Sequence, residues 1–125
     1  MKILIADNAQ DVVKLLKEVL INSGHGVDTA FDGKEAMEFL ESAAYDLVFL
    51  DHDMPEMTGI ELIKFIRTRG MKTKIVMISG YPTMQEFFVK TLGADEYIPK
   101  PFSIDEVLKI VAKYEVMLKK YPKAS

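Results

Sequence analysis

The stretch DLVFLD at residues 46–51 decides the fold of this chain. Its four consecutive apolar residues do not alternate with polar ones, and such a run suits a parallel-sheet strand that is covered on both faces. Further strand candidates lie at 3–6, 27–30 and 75–78, with a weaker one at 97–98. The sequence therefore predicts five strands in a parallel sheet.

Amphipathic stretches between these runs are typical of helices. Capping boxes predict three helix starts: Thr58 with Glu61, Thr83 with Glu86, and Ser103 with Glu106. Gly24 and Gly93 lie where the first and fourth helices should end, since glycine tolerates the left-handed turn there. The alternation predicts an α/β fold, a single (βα)5 doubly wound parallel sheet of five strands in the flavodoxin-like order 2-1-3-4-5.

Composition limits the class of protein further. A chain of 125 residues, 49% hydrophobic and 28% charged, fits one domain, which we expect over residues 1–120 with a short polar tail at 121–125. The absence of cysteine excludes disulfides, thiolate zinc sites and cysteine nucleophiles. With a net charge of −3 and no membrane-length apolar run, we expect a cytoplasmic protein without nucleic-acid or membrane partners.

Polar side chains close four of the five predicted strands. They are Asp7 and Asn8 after the first, Asp51 at the third, Ser79 at the fourth and Lys100 at the fifth. Alone, a strand-end Asp or Ser79 fits a turn or helix cap and Lys100 fits a surface residue. Ligands of open parallel sheets, however, bind beyond the carboxyl ends of the strands. Together they predict a site for a hard cation such as Mg²⁺ and an oxyanion.

Four motifs carry a resemblance to a known family. They are ILIADN at 3–8, DLVFLD at 46–51 followed by Met54, Pro55 and Gly59, ISG at 78–80, and GADEYIPKPF at 93–102. With them the chain resembles the receiver domains of two-component response regulators, from Lys2 to about Lys120. The resemblance implies a stand-alone phosphoacceptor of two-component or phosphorelay signalling. By this resemblance we expect the protein not to be an enzyme, since the only chemistry implied is the domain's own phosphorylation and dephosphorylation.

The resemblance also implies roles for the residues at the strand ends. Asp51 is expected to accept a phosphoryl group from a histidine, and Ser79 and Lys100 are expected to bond the phosphoryl oxygens. The implied Mg²⁺ ligands are Asp7, Asn8, Asp51 and the backbone carbonyl of Asp53.

Further residues match family positions that control the switch and its lifetime. Tyr97 matches an aromatic residue that turns inward when the hydroxyl residue, here Ser79, moves. Asp53 and Tyr81 match positions that tune hydrolysis of the acyl phosphate. The Lys100–Pro101 bond is expected to be cis.

Asn8 departs from the family pattern, which usually has two acidic residues after the first strand. An amide oxygen coordinates Mg²⁺ but carries no charge, and one charge pair at about 4 Å contributes up to about 4 kcal/mol at an effective dielectric of 20. We therefore expect weaker Mg²⁺ binding than in relatives with two acids. The side chain of Asp53 either compensates for this charge or is a solvated loop carboxylate.

Two predicted helices carry more apolar residues than one buried stripe needs. The fourth has Phe87, Phe88 and Val89 in succession, so at least one should be exposed, and the first has a similar excess. Extra core is one interpretation. By resemblance, the alternative is that helix one docks a histidine kinase or phosphotransfer protein. The fourth helix, fifth strand and fifth helix then face an unknown protein target. We expect no output domain after the fifth helix.

Other functions remain as alternatives to the phosphoacceptor. A pseudo-receiver would have the same fold without phosphorylation, and Asn8 keeps this interpretation open. A phosphatase of the haloacid dehalogenase type also uses Asp-x-Asp, as at Asp51 and Asp53, but after its first strand. A flavin-binding domain needs a Ser/Thr-rich phosphate loop where Asp7 lies. His52 should point away from Asp51, so we expect no ligand role for it.

Overall fold

The computed structural model describes residues 1–52, 54 and 58–120. Its strands are β1 (Lys2–Ala6), β2 (Gly26–Ala30), β3 (Leu47–Asp51), β4 (Lys74–Ser79) and β5 (Glu96–Pro99). They form one five-stranded sheet in the order β2-β1-β3-β4-β5, and every neighbouring pair is parallel. The predicted α/β class and strand order are confirmed. The tail predicted at 121–125 lies outside the described residues.

Helices connect the strands on both faces of the sheet. They are α1 (Gln10–Asn22), α2 (Gly33–Ser42), α3 (Gly59–Thr68) and α4 (Ile104–Lys120), which corresponds to the fifth predicted helix. Between β4 and β5 the chain forms a 3₁₀-helix, Pro82–Met84, and a π-helix, Phe87–Thr91, called here the 82–91 segment. Within the described ranges, no helix has the length and apolar character needed to cross a membrane.

Local sequence signals set most helix ends. The predicted capping boxes at Thr58 and Ser103 are confirmed, because the glutamate N–H three residues later donates to each hydroxyl, at 3.3 Å and 3.2 Å. Gly24 and Gly93 have φ of 92° and 89°, the left-handed conformation expected after a helix. These turns therefore lie where the sequence placed them.

The predicted helix start at Thr83 is wrong. The Met84 N–H donates to the Tyr81 carbonyl at 3.0 Å, so a tight turn has already begun when the chain reaches Thr83. Thr83 lies inside this turn and cannot act as its flanking cap. The predicted fourth helix is an irregular segment.

Two cores cover the sheet, and they explain the unbroken apolar strands. Leu40 from α2, Leu62 from α3 and Phe88 from the 82–91 segment pack on one face. Leu16 from α1 and Val111 from α4 pack on the other. All of β3 is buried as a result, which brings its terminal carboxylate to the edge of a dry core.

The Arg67 side chain joins the end of α3 to the strands beside the site. Its guanidinium donates to the Gly93 carbonyl at 3.0 Å, the Thr73 carbonyl at 3.0 Å and the Asp95 carboxylate at 2.8 Å. The same Asp95 oxygen accepts the Ile75 N–H at 2.8 Å. These bonds fix the turn between the 82–91 segment and β5.

The start of α3 packs tightly against the end of β3, and this contact gives a stability prediction. A Cβ at Gly59 would lie 2.8 Å from the Asp51 carbonyl oxygen and 3.0 Å from the Met77 Cε. We expect Gly59→Ala to lower the free energy of unfolding by about 1–3 kcal/mol, measured by urea denaturation, because backbone must shift. Gly26→Ala is the matched control, since its Cβ would meet nothing within 4 Å. Equal midpoints for Gly59→Ala and wild type would contradict the close contact.

Candidate phosphoryl and metal site

The predicted site residues meet at the carboxyl edge of the sheet. Asp7 follows β1, Asp51 ends β3, Ser79 ends β4 and Lys100 follows β5. Because these strands are consecutive neighbours in the sheet, parallel pairing brings their ends to one edge. Asp7, Asp51 and Ser79 are all buried. Pairing of strands that are distant in sequence therefore brings two carboxylates, a hydroxyl and an amine to the same edge of the sheet.

Asp51 and Lys100 form an ion pair at the centre of the site. The Lys100 Nζ lies 2.6 Å from the Asp51 Oδ1. Asp51 is 0% exposed, whereas the Lys100 side chain is 35% exposed. The predicted cis bond between Lys100 and Pro101 is confirmed. The carboxylate is thus held inside the fold, while its partner amine reaches it from the solvent side.

Asp7 places a second carboxylate beside the first. Its Oδ1 accepts the Ala9 N–H at 2.9 Å. Burial raises the pKa of Asp7, the Ala9 bond opposes this, the charge of Asp51 raises the pKa further and Lys100 lowers it. Two carboxylates therefore share one ammonium, an arrangement that a cation would stabilise.

The donor chemistry fits Mg²⁺. Asp7 and Asp51 supply hard oxygen ligands, and Asn8, exposed directly after Asp7, carries an amide oxygen. Among the residues that the structure describes, no three His, Cys, Asp or Glu side chains form a metal cluster. The predicted ligand Asp53, including its carbonyl, lies outside the described residues. Asp7 and Asp51 are therefore the two carboxylates that the described part of this edge offers to a cation.

The charge missing at Asn8 leads to a prediction about metal affinity. We expect Asn8→Asp to tighten Mg²⁺ binding at least about tenfold, or ~1.4 kcal/mol, because a carboxylate attracts the cation more strongly than an amide. Isothermal titration calorimetry measures this. Asn22→Asp, an exposed change at the last residue of α1, makes the same substitution at the far end of that helix and should leave the affinity unchanged. An unchanged affinity in Asn8→Asp would refute the expectation.

Ser79 connects the site to the neighbouring loop and to Tyr97. Its hydroxyl oxygen accepts the Tyr81 N–H at 3.0 Å. Its carbonyl accepts both the Lys100 N–H at 2.9 Å and the Tyr97 hydroxyl at 3.0 Å. The Tyr97 ring stacks on Phe88 with centroids 6.1 Å apart. The two residues predicted to form a switch are therefore in direct contact.

His52 packs against two aromatic rings. Its ring lies edge-on to Tyr81 and Phe88, with centroids 5.6 Å and 5.0 Å apart. Tyr81 is 52% exposed at the mouth of the site. Sequence reasoning did not foresee the role of Phe88, which contacts both His52 and Tyr97. The adjacent Phe87 and Phe88 were a signal, but periodicity alone did not say which ring is buried.

Comparison with known proteins gives consistent matches. A family model described as "Response regulator receiver domain" matches residues 3–112. The transcriptional regulatory protein DltR of Streptococcus agalactiae is 34% identical over 109 residues, which are 86% of this chain and 49% of DltR. The alkaline phosphatase synthesis transcriptional regulatory protein PhoP of Bacillus subtilis is 40% identical over 110 residues, 85% of this chain and 45% of PhoP. The chain spans about half the length of these relatives.

Solved structures of similar shape extend the comparison. The receiver domain of the Francisella response regulator 1452 has a TM-score of 0.83 and 31% identity, covering 93% of this chain and 98% of that one. The response regulator protein TrrA of Thermotoga maritima, in complex with Mg(2+)-BeF, has a TM-score of 0.78 and 36% identity, covering 90% and 97%. These neighbours are thus matched over nearly their whole length.

Proposed function

The chain belongs to the response regulator receiver domain family of two-component systems, and from this premise we propose that it is a Mg²⁺-dependent phosphoacceptor. Asp51 takes a phosphoryl group from a histidine kinase or histidine phosphotransfer protein. The new charge then changes a protein-binding face. The observation that carries the proposal is the buried Asp51 carboxylate, paired with Lys100 at 2.6 Å beside a second buried acid.

The chemistry requires a nucleophile and charge neutralisation. A carboxylate oxygen of Asp51 forms a bond to phosphorus while the bond between phosphorus and the donor histidine nitrogen breaks, and the imidazole keeps the electron pair. Negative charge spreads over three phosphoryl oxygens in the transition state. Lys100 offers an ammonium to these oxygens, and Ser79 offers a hydroxyl. These residues position and neutralise the transferred group.

The metal ligands in this proposal are Asp7, Asn8, Asp51 and the backbone carbonyl of Asp53. Bound Mg²⁺ supplies positive charge to the phosphoryl oxygens. Asp7 and Asp51 together carry one negative charge more than Lys100 balances, which supports a cation as the third partner. Asn8 makes this attraction weaker than a second carboxylate after β1 would.

Ser79 and Tyr97 report the phosphorylation in this proposal. The Ser79 hydroxyl turns toward a phosphoryl oxygen, and the Tyr97 ring turns inward as it follows. The bond from the Tyr97 hydroxyl to the Ser79 backbone carbonyl supports this coupling, since it places the two side chains next to each other. The Tyr97 ring lies next to the 82–91 segment, where it stacks on Phe88.

Partner binding is assigned to two faces. Exposed Val12 and Leu15 make α1 a docking surface for the phosphodonor. The 82–91 segment, β5 and α4 form the face for a protein target, where Phe87 is exposed. We place this activity in the cytoplasm, without nucleic-acid or membrane partners. The longer DltR and PhoP show that relatives carry this domain within larger proteins.

Intact mass spectrometry after incubation with acetyl phosphate tests the proposal. We expect the protein to gain the mass of one phosphoryl group when Mg²⁺ is present and no mass when Mg²⁺ is chelated. No gain under saturating donor and Mg²⁺ would leave a pseudo-receiver, a partner-binding domain that is not phosphorylated. Repeated turnover of a phosphomonoester would instead favour the phosphatase alternative.

Tyr81 and Asp53 tune the lifetime of the acyl phosphate in this proposal. Tyr81 lies at the mouth of the site against His52, where its ring limits access of water. We expect Tyr81→Ala to shorten the phosphoryl half-life severalfold, measured by mass spectrometry after removal of the donor. Tyr81→Phe keeps the ring and should retain the wild-type half-life. If Tyr81→Ala decays at the wild-type rate, the ring does not shield the phosphate.

A further inference from the structure

His52 directly follows the proposed phosphoacceptor Asp51, at the point where β3 ends. Its side chain is half-buried. The backbone N–H of His52 donates to the Ile78 carbonyl at 2.9 Å, and its carbonyl accepts the Gly59 N–H at 3.4 Å. The end of β4 and the start of α3 therefore hold the backbone of His52 from two sides.

A buried ring supports the His52 side chain on one side. The Phe88 ring is 0% exposed, and its centroid lies 5.0 Å from that of His52 with the two planes at 67°. The position of Phe88 is fixed in turn, because its carbonyl accepts the Ala94 N–H at 2.9 Å. The His52 ring is thus held by its own backbone and by a side chain of the core.

The Tyr81 ring contacts His52 on the other side. The two centroids lie 5.6 Å apart with the planes at 84°, an edge-to-face arrangement, and Tyr81 is 52% exposed. The Tyr81 backbone is anchored by its N–H, which donates to the Ser79 hydroxyl at 3.0 Å. Within the described residues, His52 is the one aromatic partner of the Tyr81 ring. A fixed ring beside the acceptor therefore orients an exposed one.

We propose that His52 is a positioning residue whose ring holds the Tyr81 ring at the mouth of the site and so prolongs the life of the phosphoryl group on Asp51. The inference rests on the proposed function, because it names the residue that keeps the shielding ring in place. Without the contact, the Tyr81 side chain rotates into solvent and water reaches the acyl phosphate more often.

Hydrolysis is the step that this contact slows. A water oxygen forms a bond to phosphorus while the bond from phosphorus to the Asp51 oxygen breaks. The carboxylate keeps the electron pair, and the phosphate leaves with the protons of the water. An edge-to-face aromatic pair favours contact over separation by about 2-fold to 10-fold. Loss of His52 should therefore shorten the half-life less than loss of the Tyr81 ring itself.

A double-mutant cycle on the phosphoryl half-life tests the proposal, by intact mass after removal of acetyl phosphate. We expect His52→Leu to shorten the half-life about 2-fold to 5-fold and to have no further effect in Tyr81→Ala, where no ring is left to hold. A side chain that only stabilises the fold would act equally in both backgrounds. That result, or equal half-lives for His52→Leu and wild type, would overturn the proposal.

Further variants separate the ring contact from general loss of packing. His52→Phe keeps a ring against Tyr81 and should retain the wild-type half-life. Phe39→Leu, which removes a half-buried ring towards the end of α2, is the matched control and should also retain it. His52→Asn has no ring and replaces His52→Leu if that variant does not fold. A half-life in His52→Phe as short as in the variants without a ring would overturn the proposal.

Fluorine NMR of the full chain labelled with 3-fluorotyrosine needs no phosphorylation. The Tyr81 resonance is assigned with Tyr81→Phe, and a soluble paramagnetic agent reports exposure of its ring. We expect the agent to broaden this resonance more strongly in His52→Leu than in wild type. If acetyl phosphate does not modify the protein, the proposed function fails, and the NMR result alone decides whether His52 positions Tyr81. An unchanged broadening overturns that role.

Discussion

We expect Asp51→Asn to abolish phosphoryl incorporation from acetyl phosphate, which is the largest effect expected in this protein. The substitution keeps the size of the buried side chain but removes the carboxylate that we propose as the nucleophile. Intact mass should show the unmodified protein at donor concentrations that saturate the wild type. Glu41→Gln, an exposed change at the end of α2, is the matched control because it removes one carboxylate at the opposite edge of the sheet. We expect this control to be phosphorylated like the wild type.

The result also separates the phosphoacceptor from other nucleophiles at the same edge. Asp7 is buried beside Asp51, and Ser79 carries a hydroxyl on the next strand. If Asp51→Asn still gains one phosphoryl group in proportion to donor and Mg²⁺, then another residue accepts it. Peptide mapping of the modified protein would then identify that residue, and the role proposed for Asp51 would be wrong.

The strand ends were predictable because sequence and topology act together there. An unbroken apolar run such as 47–50 predicts a strand buried on both faces of a parallel sheet, and parallel strands have their carboxyl ends on one edge. The residue after each run is therefore placed without any knowledge of side-chain contacts. Asp7, Asp51, Ser79 and Lys100 meet for that reason, and the ion pair between Lys100 and Asp51 follows from it.

The 82–91 segment was not predictable in the same way. Its sequence has a capping pattern at Thr83 and enough apolar residues for a regular helix, and both local signals favour an α-helix. Tertiary contacts override them, because Phe88 fills the space between His52 and Tyr97 and Arg67 holds the Gly93 carbonyl. Local propensity contains no information about contacts between distant strands, so the winding of this segment depended on the assembled fold.

Lys100→Met should slow phosphorylation by about 100-fold to 1,000-fold, or ~2.7–4 kcal/mol of transition-state stabilisation. Methionine keeps much of the length of the side chain but cannot neutralise the phosphoryl oxygens. The ammonium lies 2.6 Å from the Asp51 Oδ1, so its loss removes charge next to the nucleophile. Initial rates of phosphoryl incorporation from acetyl phosphate measure this effect. Lys90→Met, which removes an exposed ammonium in the 82–91 segment, should not change the rate.

Mg²⁺ affinity distinguishes lost catalysis from a damaged site in Lys100→Met. The variant keeps the carboxylates of Asp7 and Asp51 but loses the ammonium of Lys100 beside them. The two carboxylates therefore attract a cation more strongly. We therefore expect calorimetry to show Mg²⁺ binding at least as tight as in the wild type, together with the slow reaction. Weaker Mg²⁺ binding would mean that Lys100 holds the geometry of the metal ligands. An unchanged rate would mean that the ion pair stabilises the resting fold and contributes nothing to phosphoryl transfer.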